Sequence, residues 1–325
     1  MSETGGAETP RSTLEELERC DLGCEASEPA LDAQEIAAWE RGAALLEPYR
    51  RRLSDFEVWD AHAHVGCDID SSRVTAAQLV GRLDLLGVRR AVVFPMNDPR
   101  QGVCFHHPND LVWAAHQRYP DRLVPFFRLN PNFPSREEYE RRVEQGFRGI
   151  KLHPRSQSFR IAGPAAMEVY SWAEADGLPV LLHTGRGAGS VVEELRAVID
   201  AFPSLRLILG HSALQELPEC CTQCGNCDWV LFDTSTLDRD RLRELFLRTD
   251  PHKIAYGSDI PFGDQAEELV RVLQVAEEAG LDDAAIALVL GGNIRRWVET
   301  SPAERGVCEW ETESATRATG IVSPG

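Results

Sequence analysis

A chain of 325 residues is long enough for one large core or two ordinary ones, and its 43% hydrophobic and 26% charged residues are the balance of a soluble globular protein. The formal charge of −18 argues against a nucleic-acid partner, because neutralising phosphates takes clusters of Lys and Arg that this chain does not carry. Met1 to Pro10 is acidic and small rather than basic then apolar, and no apolar run approaches the ~20 residues of a membrane span, so no secretory leader and no membrane partner are expected and a cytoplasmic location is the reading.

In chain order, residues 1–30 are rich in Glu, Ser, Gly and Pro and predict a disordered acidic tail. Ile36, Ala37, Trp39, Ala43, Leu45 and Leu46 recur at helical spacing, which predicts an N-terminal helical extension over 31–54. From 55 to 300 one pattern repeats, a short apolar strand followed by an amphipathic helix. The strands are expected at 56–64, 89–95, 122–129, 148–153, 179–183, 205–210, 229–234 and 253–258. Helical spacing recurs over Ala76–Leu86, Arg136–Glu144, Ala165–Ala175, Val191–Ala201 and Arg241–Leu247, with Thr75, Asn109, Ser135 and Asp240 as expected N-caps. Residues 301–325 are expected to form a C-terminal tail. Eight such units predict an α/β fold of the (β/α)8 TIM-barrel type. An open doubly wound sheet is the competitor, but it would place a Gly-rich phosphate turn after an early strand, where this chain has His62 and His64.

The chemistry-bearing residues fall at strand ends. Val58-Trp-Asp-Ala-His62-Ala-His64 puts two imidazoles on one face of a strand, because side chains alternate. Single histidines close three later strands, at His153, His183 and His211, and Asp259 closes the last. Barrel enzymes carry their active sites at the C-terminal ends of the strands, so these residues are expected to converge. Imidazoles and a carboxylate suit zinc, manganese or iron, and a site of His62, His64, His183 and Asp259 would leave a position open for water. His106, His107, His116 and His252 read as ordinary surface residues. Arg128, Asn130, Arg155 and Arg186 follow strands and are candidate anchors for a substrate carboxylate, which arginine grips in two-point fashion. Ser235 and Ser258 read as caps of backbone groups. Cys220, Cys221, Cys224 and Cys227 cluster, but nine cysteines are an odd number for a closed disulfide framework; reduced thiols are the leading reading, with a structural metal and a redox pair as alternatives.

Asp60-Ala-His-Ala-His64, Gly149-Ile-Lys-Leu-His-Pro154, His183-Thr-Gly185, Gly210-His211 and Tyr256-Gly-Ser-Asp-Ile-Pro261 together resemble the amidohydrolase superfamily over about residues 55 to 300. They are most similar to its amidohydrolase-related branch, which holds aminocarboxymuconate-semialdehyde decarboxylase, resorcylate decarboxylases and pyrone-dicarboxylate lactonase. The resemblance implies one divalent metal on His62, His64, His183 and Asp259, with His211 beside the activated water. It also implies catalytic roles for His211, Asp259 and Lys151; His153, Arg128, Arg155 and Arg186 are the expected substrate-binding residues, read from their places after strands. A carboxylated Lys151 bridging two ions is the alternative. The leading functional expectation is metal-dependent hydrolysis of a small amide, lactone or similar compound. Non-oxidative decarboxylation of an aromatic or unsaturated acid is the second, and a catalytically silent barrel acting as a binding protein is the third. A homodimer is compatible with the acidic surface.

Overall fold

The computed structural model describes residues 33–187 and 190–299; the tails expected over 1–30 and 301–325 lie outside the described residues. Internal contacts divide the chain between Arg41 and Gly42, and helix α1 (Ala33–Leu46) runs through that division. A short helix α2 (Arg50–Leu53) then leads into the sheet.

The strands are β1 (Val58–Cys67), β2 (Arg73–Val74), β3 (Val88–Pro95), β4 (Leu123–Arg128), β5 (Gly149–Leu152), β6 (Val180–His183), β7 (Leu207–Gly210), β8 (Val230–Asp233) and β9 (Ile254–Ala255). All pair in parallel except β2, which folds back antiparallel on the end of β1 with Gly66 opposite Val74. The sheet closes on itself. Ala61 N donates to Tyr256 O at 2.8 Å, Asp259 N to His62 O at 2.7 Å and His64 N to Ile260 O at 3.0 Å, so the β9 segment completes a barrel against β1. Closure excludes the open doubly wound sheet and brings eight C-terminal strand ends around one mouth.

Alternation along the strands sorts the apolar residues into two layers. Trp59, Ala61, Val92, Phe94, Val124, Phe126, Leu181, Ile208, Leu231 and Ala255 fill the barrel interior, and Ile294, Trp297 and Val298 of the helix Asn293–Glu299 join that cluster. The other face of the strands packs on the helices in a second, larger cluster. Helix α3 (Ala76–Leu86) opens on the expected Thr75, whose hydroxyl accepts from Gln78 N while Gln78 Oε1 accepts from Thr75 N. Such a reciprocal cap contributes about 1 kcal/mol. Ser135 caps the helix Arg136–Gln145 as expected.

Three expectations fail for identifiable reasons. The helix Arg239–Arg248 is capped by Asp238, not Asp240, since it begins a turn before its first apolar residue. Asn109 lies inside the helix His106–Arg118; its side chain is buried, donating to Arg128 O and Glu138 and accepting from Arg128 N, so it ties that helix to β4. His116 is half-buried, with Nδ1 bonded to Leu123 O, rather than a surface residue. Cys220, Cys221 and Cys224 sit on the helix Leu217–Cys224, buried in the outer core as free thiols.

The helix Gln265–Glu278, which follows β9, buries Glu268, and burial together with nearby Asp233 and Asp259 pushes its carboxyl up to about 7 in spite of Arg271 at 2.8 Å. A raised carboxyl stabilises the fold only while protonated in the native state, so its contribution is lost as pH rises from about 4.5 through about 7. In the metal-free protein Glu268→Gln is therefore expected to raise the unfolding midpoint at pH 8 by the equivalent of up to about 3 kcal/mol, at 1.36 kcal/mol per unit. The gain should fade below neutrality and vanish under about pH 4.5; thermal melts across this range check it, and a gain independent of pH would contradict it.

Candidate metal centre and active site

The site is built on β1 and the turn after β9. The pairing of β1 with β3 shifts register between Asp60 and Ala63, a bulge-like irregularity at the point where the interior side chains change from apolar to histidine. Asp60 fixes that point. Its carboxylate accepts from His62 N (3.0 Å), Ser258 N (3.0 Å), Ser258 Oγ (2.6 Å) and Gln265 Nε2 (2.7 Å), tying β1 to the residues before Asp259. Ser258, expected only as a backbone cap, belongs to this tie. Burial still pushes the Asp60 carboxyl up to about 6, against those four donors.

Asp259 adopts a left-handed backbone conformation (φ 59°) and brings Oδ1 to 3.1 Å from Nε2 of both His62 and His64. The ligand atoms of these three buried residues lie within 4.8 Å of one another. His62 donates its Nδ1–H to Asp233, so in the neutral ring Nε2 is a lone pair facing the Asp259 carboxylate. Two electron-rich atoms at 3.1 Å call for a cation beside them, and Lys151 Nζ lies 3.2 Å from the same nitrogen. Two imidazoles and a carboxylate are the donor set that zinc, manganese or iron prefers, and a carboxylate orienting the far nitrogen of a ligand histidine is the usual support for such a site. The residues present thus fit a divalent ion.

Electrostatics agree with that fit. Burial opposes ionisation of Asp259, but the positive form of His62 and the bonds from His62 and His64 hold the carboxyl well below its ordinary range; His62 in turn is raised, because its burial and Lys151 are outweighed by Asp233 and Asp259. Burial pushes His64 down to about 3 and His211 down to about 4, so both are neutral at physiological pH. Burial also pushes Lys151 down to about 7, against the pull of Asp259 and helped by Arg128; its Nζ rests 4.5 Å from the centre of the Phe94 ring.

His183, the fourth expected ligand, lines the same cavity but stands outside the three-residue group: its Nδ1 is 3.1 Å from His211 Nε2. Its ring stacks on His153 at 3.8 Å, and its Nε2 is buried without a hydrogen-bond partner. Burial pushes His183 down to about 2 and His153 lower still. His211 in turn places Nδ1 2.9 Å from Ser235 Oγ and 3.1 Å from Thr236 Oγ1.

These residues open on a cavity of about 540 Å³ that also takes in Arg128, Arg155 and Arg186. Arg128 is buried, with Nη2 bonded to Asn97 and Ser156 and its guanidinium over the Phe105 ring; burial lowers it to about 10. Arg155 and Arg186 are exposed at the rim. Asn130 is not brought to the cavity; its Oδ1 accepts from Asn132 N in a turn. None of His106, His107, His116 and His252 lines it either. The sequence reading missed Asp233, which holds His62; it ends its apolar strand as Asp259 ends its own, and that parallel was the available signal. It also missed the apolar lining by Ile69, Met96 and Phe262, which comes from loops.

Gly257 shows how closely this support is packed. A Cβ there would overlap Asp233 Oδ1 and come within 2.9 Å of His62 Cβ. Gly257→Ala is expected to displace the carboxylate that orients His62 and to weaken metal binding about tenfold or more, as losses of such supporting partners do. Metal titration of the variant, alongside its melting temperature, checks this; wild-type affinity would show that the strand can yield.

The family model described as "Amidohydrolase" matches residues 59–299. The chain belongs to the amidohydrolase family. Solved structures of similar fold include an uncharacterised TIM-barrel protein from Bordetella bronchiseptica, 17% identical, covering 78% of this chain and 100% of that one, with a TM-score of 0.61. A dihydroxybenzoic acid decarboxylase from Polaromonas, with bound manganese and the inhibitor 2-nitroresorcinol, is 15% identical over 75% of this chain and 97% of its own, TM-score 0.57. A probable 2-pyrone-4,6-dicarboxylic acid hydrolase from Acinetobacter baumannii, with citric acid bound, is 16% identical over 75% of this chain and all of its own, TM-score 0.54. At such identities these neighbours establish the barrel and leave the reaction of this amidohydrolase open. A Saccharopolyspora erythraea protein named as a candidate glutamate–cysteine ligase is 33% identical over 104 residues, 32% of this chain, which thereby spans about a quarter (24%) of that relative. Amidohydrolase chemistry is metal-dependent, and the group of His62, His64 and Asp259 suits it.

Proposed function

We propose that this amidohydrolase hydrolyses a small carboxylate-bearing amide, lactone or similar carbonyl compound at the His62, His64 and Asp259 centre, with His183 as the fourth ion donor. The observation that carries the reading is the Asp259 carboxylate at 3.1 Å from both imidazoles, beside Lys151 Nζ, in a cavity where Arg128, Arg155 and Arg186 outnumber the two further carboxylates, Asp68 and Asp70. Zinc or manganese bound there would supply Lewis acidity and a water whose pKa is drawn toward neutrality. Asp259 would be the base for that water, His211 would act through its bond to His183, and Lys151 Nζ would be the cation for a developing oxyanion. Arg128, Arg155 and Arg186, with His153, would hold the substrate carboxylate, and Ile69, Met96 and Phe262 would cover its apolar part.

One feature favours decarboxylation as the second reading: the same cations could gather a carboxylate over the centre, with Lys151 as the lining's proton donor. Elemental mass spectrometry and a substrate panel separate the two. The expected result is about one equivalent of metal, lost in His183→Ala, and turnover of lactones or amides without carbon dioxide. Carbon dioxide released from carboxylated aromatics would select the second reading, and turnover by protein stripped of metal would overturn both.

A further inference from the structure

The hydrogen bonds behind the ligand residues converge on one carboxylate. Asp233 Oδ1 accepts from Ser235 N at 2.8 Å; Oδ2 accepts from His62 Nδ1 and from Ser235 Oγ at 2.9 Å. A serine hydroxyl has one proton, and here the ionised carboxylate takes it. Ser235 Oγ therefore accepts from His211 Nδ1, 2.9 Å away. The carbonyl of Ser235, which can only accept, lies 3.3 Å from the same nitrogen and asks for the same proton. A neutral imidazole has one proton, so His211 Nε2 is a lone pair, and the proton between it and His183 Nδ1 belongs to His183. That leaves His183 Nε2 unprotonated, and it is the ring nitrogen that is buried without a partner. The contact between the two rings depends on Gly185, where a Cβ would lie 2.8 Å from His211 Cδ2 and 3.1 Å from His183 Cε1.

We propose that Asp233 and Ser235 are positioning residues whose hydrogen bonds set the tautomers of three histidines, so that His62 directly and His183 through His211 each keep Nε2 unprotonated, the form that binds an ion. One carboxylate thereby prepares two ligands on different strands. The histidine side chain free in water favours the opposite tautomer, with the proton on Nε2, so the arrangement is imposed by the fold. The inference rests on the metal-centre reading above and deepens it.

The test uses the full-length, metal-free protein labelled with 15N in its histidines, with long-range 1H–15N correlation spectra assigned through single His→Gln variants. Wild type is expected to show Nδ1-protonated His62, His183 and His211. Ser235→Ala removes the nearest acceptor and keeps the carbonyl and Thr236 Oγ1, so the 15N shifts of His211 and His183 should move part-way toward the mixed-tautomer average while His62 stays as it was. Asp233→Asn should move His62 and weaken Mn2+ binding about 10- to 100-fold, read from the free Mn2+ signal in electron paramagnetic resonance. A purely structural role for either residue would leave the surviving tautomers unchanged. An Nε2-protonated His183 or His211 in wild type, or a Ser235→Ala spectrum identical to wild type, would overturn the proposal. Should Asp233→Asn fail to fold, the wild-type and Ser235→Ala spectra still decide it. Nδ1-protonated rings in a wild type that binds no Mn2+ would support the relay and sink the metal-centre reading instead.

Discussion

Asp259→Asn is expected to cost roughly 10²- to 10⁴-fold in kcat, the range for loss of a proton-transferring group, and most of the bound metal with it. The substitution keeps the size of the side chain and removes the negative charge that faces Nε2 of both His62 and His64 at 3.1 Å. The backbone of the turn should survive, because its bonds do not involve the carboxylate: Asp259 N donates to His62 O, and Asp259 O accepts from Phe262 N and Gly263 N. Far-UV circular dichroism should therefore match wild type while metal content falls. A variant that retains both metal and turnover would place the reaction elsewhere in the cavity.

Lys151→Met comes next in size. The lysine is buried, 3.2 Å from His62 Nε2 and over the Phe94 ring, so methionine can fill the same apolar slot while removing the charge. If the ammonium stabilises an oxyanion, kcat should fall about 10²- to 10³-fold with metal content unchanged, as when a single oxyanion donor is removed. Loss of one of two metal equivalents in the variant would instead mean that Lys151 carries a bridging carboxylate. Steady-state kinetics combined with metal analysis gives both numbers on one sample.

The two variants probe residues that are legible in the sequence alone. His62, His64, Lys151, His183, His211 and Asp259 each sit at the end of an apolar run, and parallel strands of a closed barrel bring such ends to one mouth. The helix Val191–Ala201 was readable to the residue, since its apolar spacing is uninterrupted and it meets the barrel on one face. Asn109 misled because its polar side chain, a good cap by type, is spent on the backbone of β4 and on Glu138. The extension of β1 to Cys67 depends on pairing with Arg73–Val74 across an intervening loop, which local pattern does not announce.

The sequence by itself determined the repeat, the order of the strands, the residue types at their ends and hence the family, because these follow from period and position along the chain. Only the tertiary structure decided which of those residues meet. It joined His62, His64 and Asp259 through the closing bonds between β1 and the β9 turn, and turned His183 toward His211. It also set Asp233 behind His62, in space that Gly257 leaves open. Such contacts are set by angles and distances between strands far apart in sequence, which no local pattern along the chain records.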